Sequence, residues 1–195
     1  QYANDSWTQL GSDIDGEAAN DLSGYSVDLS EDGTIVAIGA QLNDGNGSLS
    51  GHTRIYQYAN DSWTQLGSDI DGEAASDYSG WSVSLSEDGT IVAIGARNNN
   101  GSAGHSGHTR IYQYASGSNS WSQLGSDIDG EAAIDNSGIS VSLSDDGTIV
   151  AIGAYLNVDD NGSRSGHTRI YQYASASTTS TLLGSATADS NGDFT

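Results

Sequence analysis

The stretch "SGWSVSLSEDGTIVAIGA" at residues 79–96 holds the pattern from which the fold is read. Val83 and Leu85 alternate with serines, the period of two expected of a strand with one buried face, whereas "IVAIGA" is apolar on both faces and predicts a strand covered on both sides. Between them "SEDGT" places Asp88 and Gly89 where a tight hairpin needs positive φ, which glycine supplies without a steric penalty. Downstream, "HTRIYQYA" (108–115) and "SWSQLGS" (120–126) predict two further strands, the first with Arg110, Tyr112 and Tyr114 on one face. No segment carries helical periodicity over a useful length.

Working outward, the same text recurs. "GSDIDGEAA" starts at Gly11, Gly67 and Gly125, at spacings of 56 and 58 residues, and "GHTRIYQYA" starts at Gly51, Gly107 and Gly166, at spacings of 56 and 59. Four short antiparallel strands per period, joined by Gly/Asn/Asp/Ser turns, predict an all-β fold of β-propeller-type four-stranded blades. The small residues of "AIGA" allow neighbouring blades to approach closely. A β-sandwich of independent modules is the competing reading, and the lack of linkers weighs against it. The repeats run over about 1–56, 57–112 and 113–174, and the tail 175–195 departs from them, as an exchanged strand or the start of another segment. Closed propellers need at least about four blades. Three sets of strands with "SWTQLGS" (6–12) to spare therefore predict completion by a longer chain or by another copy, in a ring or a head-to-tail filament.

Composition narrows the function. The 195 residues include 26 glycines but no proline, cysteine or methionine, so neither disulfides nor cysteine-bound metal hold the fold. A formal charge of -21, from 26 acidic residues against five arginines, disfavours nucleic acid or an anionic membrane surface as a partner. No apolar run reaches the ~18 residues of a membrane span, so no membrane insertion is expected. Opening on Gln1, the chain reads as a mature or excised piece of something longer. Serine, histidine and aspartate are plentiful but nearly all occur in triplicate, whereas catalysis places one nucleophile and one base in a unique geometry; the expectation is a protein that is not an enzyme.

The block "SGWSVSLSEDGTIVAIGA", an Asn/Gly-rich loop, "SGHTRIYQYA" and a tryptophan strand resemble the FG-GAP-type repeats of integrin α-subunit propellers and of large secreted surface proteins, over residues 1 to about 174. The resemblance implies a propeller at the cell surface or outside the cell. The sequence departs from the family in having Ser-Gly (Ser23-Gly24, Ser79-Gly80, Ser137-Gly138) for Phe-Gly, and its first hairpin, "SEDGT" or "SDDGT", cuts short the family's calcium loop.

Connections alternate between the two faces of a propeller, which sets "SDIDGEAASDYSG" beside "RNNNGSAGHSG". The candidate calcium ligands are therefore Asp13, Asp15, Glu17 and Asp21, with Asp69, Asp71, Glu73 and Asp77, and Asp127, Asp129, Glu131 and Asp135, gathered near loop asparagines such as Asn98 to Asn100. Calcium takes six to eight oxygen ligands, and this spacing offers several from one loop without matching an EF-hand. The alternative is that these acids solvate a crossing between blades and cap backbone amides in Asx-turns.

Five sequons fall in predicted loops, making Asn4, Asn46, Asn60, Asn100 and Asn161 glycosylation candidates. His52, His108 and His167 lie a whole blade apart and are expected to hydrogen-bond within their own blades. Trp7, Trp63 and Trp121 are expected to pack between sheets, with sugar stacking as the alternative. The expected function is that of an extracellular structural or adhesive repeat protein that self-associates, with a surface filament as one form. The alternative is a calcium-dependent module that binds glycans or surface proteins.

Overall fold

The computed structural model describes residues 2, 3, 6–157 and 164–174, with side chains from residue 6. Asn4, Asn161 and the tail at 175–195 lie outside the described residues. A short hairpin of β1 (Tyr2–Ala3) and β2 (Ser6–Trp7) precedes the repeats. The first repeat sheet runs β3 (Ser26–Leu29), β4 (Ile35–Ala40), β5 (His52–Ala59) and β6 (Ser62–Gln65), and β7 (Ile70–Asp71) follows it. The second runs β8 (Ser79–Leu85), β9 (Ile91–Ala96), β10 (His108–Ala115) and β11 (Ser120–Gln123), followed by β12 (Ile128–Asp129). The third holds β13 (Ser140–Leu143), β14 (Ile149–Ala154) and β15 (His167–Gln172). Each sheet is an antiparallel meander in sequence order, and the sheets are β-propeller-type blades.

One feature of the acidic repeat differs from its expected loop structure. Its Ile-Asp pairs form β7 and β12, which join the starts of β5 and β10, with His52 opposite Asp71 and Thr53 opposite Ile70. The reason is Ile70, 5% exposed, which enters the core beside Ile35, Ile55, Val83 and Val92. Burying an isoleucine contributes about 1.5–3 kcal/mol, enough to hold two residues in a ladder between flanking acids.

The blades stack face to face. All six residues of β4 are buried, as a strand apolar on both faces requires. Ile35 and Ala37 pack with Val83, Leu85, Val92 and Ile94 of the next blade, while Val36, Ile38 and Tyr56 pack toward Ile14 and Trp63. The first strands of successive blades lie side by side. Ser26 Oγ donates to the Gly80 carbonyl and Ser82 Oγ to the Gly138 carbonyl, both at 2.8 Å, and the hairpins link through Glu31 N–H to Glu87 O (2.9 Å) and Glu87 N–H to Asp145 O (2.8 Å). An open groove of about 520 Å³ runs along these strands, lined by Val27, Leu29, Val83, Leu85, Val141 and Leu143. At its rim the neighbouring Glu31 carboxyl pushes the Glu87 carboxyl upward. Among the described residues no helix is long and apolar enough to cross a membrane.

Candidate functional site: the seam between blades

Each seam is built where a third strand starts. Gly51 and Gly107 precede β5 and β10 at φ 71° and 72°, and each bridges the serine that opens the next repeat, Ser79 or Ser137. A Cβ on Gly51 would strike the Ser79 backbone, so only glycine allows the two chains to approach this closely. Two residues apart on the strand that follows, His52 and Arg54 share a face, as do His108 and Arg110. The Arg54 guanidinium donates from Nη2 to the Asp15 carbonyl (2.7 Å), Arg110 to Asp71 O (2.6 Å) and Arg169 to Asp129 O (2.5 Å). The junction loop of the preceding repeat is thus pinned to each third strand.

The candidate acids divide by role. Asp21, Asp77 and Asp135 are buried, and each accepts from a backbone amide and an asparagine at Oδ2: Ala18 N–H and Asn43, Ala74 N–H and Asn99, Ala132 N–H and Asn157, at 2.8–3.2 Å. They cap their turns and tie the two loops that alternating connections were expected to set side by side. Asp13, Asp69 and Asp127 accept from Gln9, Gln65 and Gln123 at 2.8, 2.6 and 2.6 Å, each through Oδ1. Asp15, Asp71 and Asp129 serve the arginines through their carbonyls, and burial followed by the nearby Asp127 charge pushes the Asp129 carboxyl upward.

Two groups of three possible ligand side chains, with ligand atoms within 4.8 Å of one another, occur among the described residues: Glu17, His52 and Asp69, and Glu73, His108 and Asp127. Each combines the glutamate of one acidic repeat with the aspartate of the next. The four acids of a single copy, expected as one calcium set, are instead distributed over capping, strand pairing and these mixed groups. A calcium ion seeks six to eight oxygens, and neither group offers that many carboxylate oxygens around its histidine.

The histidines depart from the hydrogen bonding within a blade that was expected. His52 and His108 are each 1% exposed, and Nδ1 of both lacks a hydrogen-bond partner among the described residues. Burial pushes the His52 imidazole down, and burial with the Arg110 charge takes His108 down to about 4. Glu73 is pushed up, chiefly by burial, with Arg110 opposing. In the third repeat Glu131 Oε2 lies 3.6 Å from His167 Nδ1.

Trp63 and Trp121 pack as expected, and Trp7, 81% exposed, does not. Trp63 and Trp121 lie 5.1 Å from Tyr58 and Tyr114 and donate from Nε1 to Leu10 O (2.9 Å) and Leu66 O (2.8 Å). Sequence reasoning missed a cluster that joins the first and second repeats, where Arg97 stands 3.7 Å over the Trp81 ring and Tyr25 lies 4.8 Å from it. Its signal was the difference between Tyr25, Trp81 and Ile139 at one repeat position. Of the described sequon asparagines, Asn46 donates to the Gly72 and Glu73 carbonyls at 2.9 and 3.1 Å, Asn100 accepts from His105 N–H at 2.8 Å, and Asn60 lies in an exposed hairpin at φ 50°.

The fold and the repeated seam define a β-propeller-type repeat module. Residues 13–56 match the FG-GAP repeat, which bears out the resemblance read from the sequence. No curated protein matches the chain. Among solved structures, a complex of KlAtg21 with the coiled coil of AgAtg16 is similar at a TM-score of 0.50 and 10% identity, over 75% of this chain and 39% of that one. The WD40 repeats of RRP9 give 0.46 and 15%, over 76% and 42%, and Kuenenia stuttgartiensis hydrazine synthase gives 0.45 and 12%, over 76% and 44%. The chain spans about two fifths of the length of these structures.

Proposed function

We propose that the chain is an extracellular structural or adhesive repeat module that works by stacking units of its own kind. One comparison carries this reading. Ile55 on the third strand of the first blade is fully buried against the second blade, whereas Ile170, at the same position in the third blade, is 71% exposed. Ile149 is 40% exposed where its counterpart Ile35 is 9% exposed. Among the described residues, the face that each blade buries against its successor is therefore open on the third, and an apolar face of this shape is complementary to the face of another blade. The FG-GAP match supports a place at the cell surface or outside the cell, and the triplication of nearly every polar side chain supports a scaffold over an enzyme.

The test is light scattering and negative-stain electron microscopy of the chain beside Ile170→Asp. Self-association of the parent that the substitution abolishes is the expected result. A parent that stays monomeric across the micromolar range would refute the reading.

A further inference from the structure

We propose that Glu17, His52 and Asp69, and likewise Glu73, His108 and Asp127, each bind a divalent transition-metal ion such as zinc at the seam between consecutive repeats. The geometry converges on the imidazole. His52 Nδ1 lies 3.7 Å from Glu17 Oε2 and 3.9 Å from Asp69 Oδ2; His108 Nδ1 lies 3.6 Å from Glu73 Oε2 and 3.9 Å from Asp127 Oδ2. These separations exceed a hydrogen bond. They are close to the spacing of about 3.4 Å between ligands that each stand about 2.1 Å from a tetrahedral zinc ion.

Each carboxylate also has its second oxygen engaged elsewhere. Asp69 and Asp127 are held through Oδ1 by Gln65 and Gln123, and the Oε1 atoms of Glu17 and Glu73 face Arg54 and Arg110 at 3.7 and 3.8 Å. The remaining oxygens point at Nδ1. Glutamine and arginine thus orient the ligands as partners behind a metal site do. The independent indication is the histidine itself, almost wholly buried with Nδ1 unpaired in both copies and, in His108, with Nε2 unpaired as well, since a buried nitrogen without a partner is costly unless something occupies it. One nitrogen and two carboxylate oxygens suit zinc, or a comparable transition ion, better than calcium, with water completing the shell.

Each ion would join a junction loop, a third strand and the next junction loop, so binding would stabilise the stack by mass action. In the tail, the "LGS" at 183–185 is followed by Ala186, where the earlier copies have Asp69 and Asp127. Two ions per chain are therefore expected.

The experiment is calorimetric titration of the chelator-treated full chain with zinc chloride at pH 7, repeated with cobalt(II) to follow its visible absorption. Two equivalents should bind, with a cobalt spectrum of four-coordinate character and a higher melting temperature. His52→Gln with His108→Gln should weaken binding by roughly tenfold or more, and Asp69→Asn with Asp127→Asn, at partly exposed positions, should do the same should the histidine variant not fold. Glu31→Gln with Glu87→Gln, equally acidic residues at the groove, should leave binding unchanged. No uptake, or uptake that ignores the seam substitutions or falls equally with those at the groove, would overturn the proposal.

Discussion

Asn99 donates from its side-chain amide to Asp77 Oδ2 at 3.0 Å, and both residues are buried. The same pair recurs as Asn43 with Asp21 and Asn157 with Asp135. Because the Ala74 amide donates to the same oxygen, Asp77 ties its own turn to the loop between the second and third strands of its blade.

Asp77→Ala leaves the buried Asn99 side-chain amide and the Ala74 N–H without their acceptor, and a stability loss of about 1–3 kcal/mol is expected. Urea denaturation measures it. Asp44→Ala, which removes only an exposed acceptor of the Leu49 N–H (2.7 Å), serves as the comparison, and equal losses in the two variants would contradict the tie.

Gly95 faces the Gly138 carbonyl so closely that a Cβ could not fit without moving backbone, and Ser82 Oγ crowds the same point. Gly95→Ala should cost about 1–3 kcal/mol, as overpacking does. Gly104 has open space around its Cβ direction, so Gly104→Ala should be neutral or slightly stabilising in the same thermal melts.

Ile134 holds φ 70°, a left-handed conformation that costs a β-branched residue about 1–2 kcal/mol, and its side chain is 58% exposed. Asn20 fills that position in the first repeat at φ 74°. Ile134→Asn should therefore raise the melting temperature, by about 0.5–1 kcal/mol of stability. A lower melting temperature would show that Ile134 makes contacts that outweigh its backbone cost.

The hairpin aspartates should titrate low. The Thr34 amide, then the Ser30 and Thr34 hydroxyls, hold the Asp32 carboxyl below its ordinary 3.8, and Thr148 N–H, then the Ser144 and Thr148 hydroxyls, do the same for Asp146. A carboxyl depressed in the folded state contributes stability that is fully present above the unfolded value. That contribution is lost as pH falls below about 3.8 through the folded value. Carboxyl NMR titration should show both groups below 3.8, and Ser30→Ala should move Asp32 upward while leaving Asp146 in place.

Much of the fold was legible because strand burial is a local, periodic property. The alternation at Val83 and Leu85 and the continuous apolar run of "IVAIGA" each record which faces are covered, and β8 and β9 lie where those patterns placed them. Gly33, Gly89 and Gly147, at φ 68–69°, occupy the hairpins that their Asp-Gly pairs predicted. The repeat spacing likewise revealed the unit, since stacked units need the same residues at the same contacts. What the spacing hid was Ile70, an apolar residue between acids whose burial depends on a neighbouring sheet.

The sequence by itself determined the strands, the turns, the three repeats and the side on which the acidic loops gather, all of which follow from chain periodicity and connection parity. Only the tertiary structure decided which acids meet. Glu17 and Asp69 stand 52 positions apart, in successive copies of one motif, and come together around His52 because stacking sets the loop before a blade and the loop after it against the start of the same third strand. Inside one copy, neighbouring acids point different ways along a short strand and a capped turn. Spacing along the chain therefore identified the ligand types, whereas the packing of one blade on the next selected their partners.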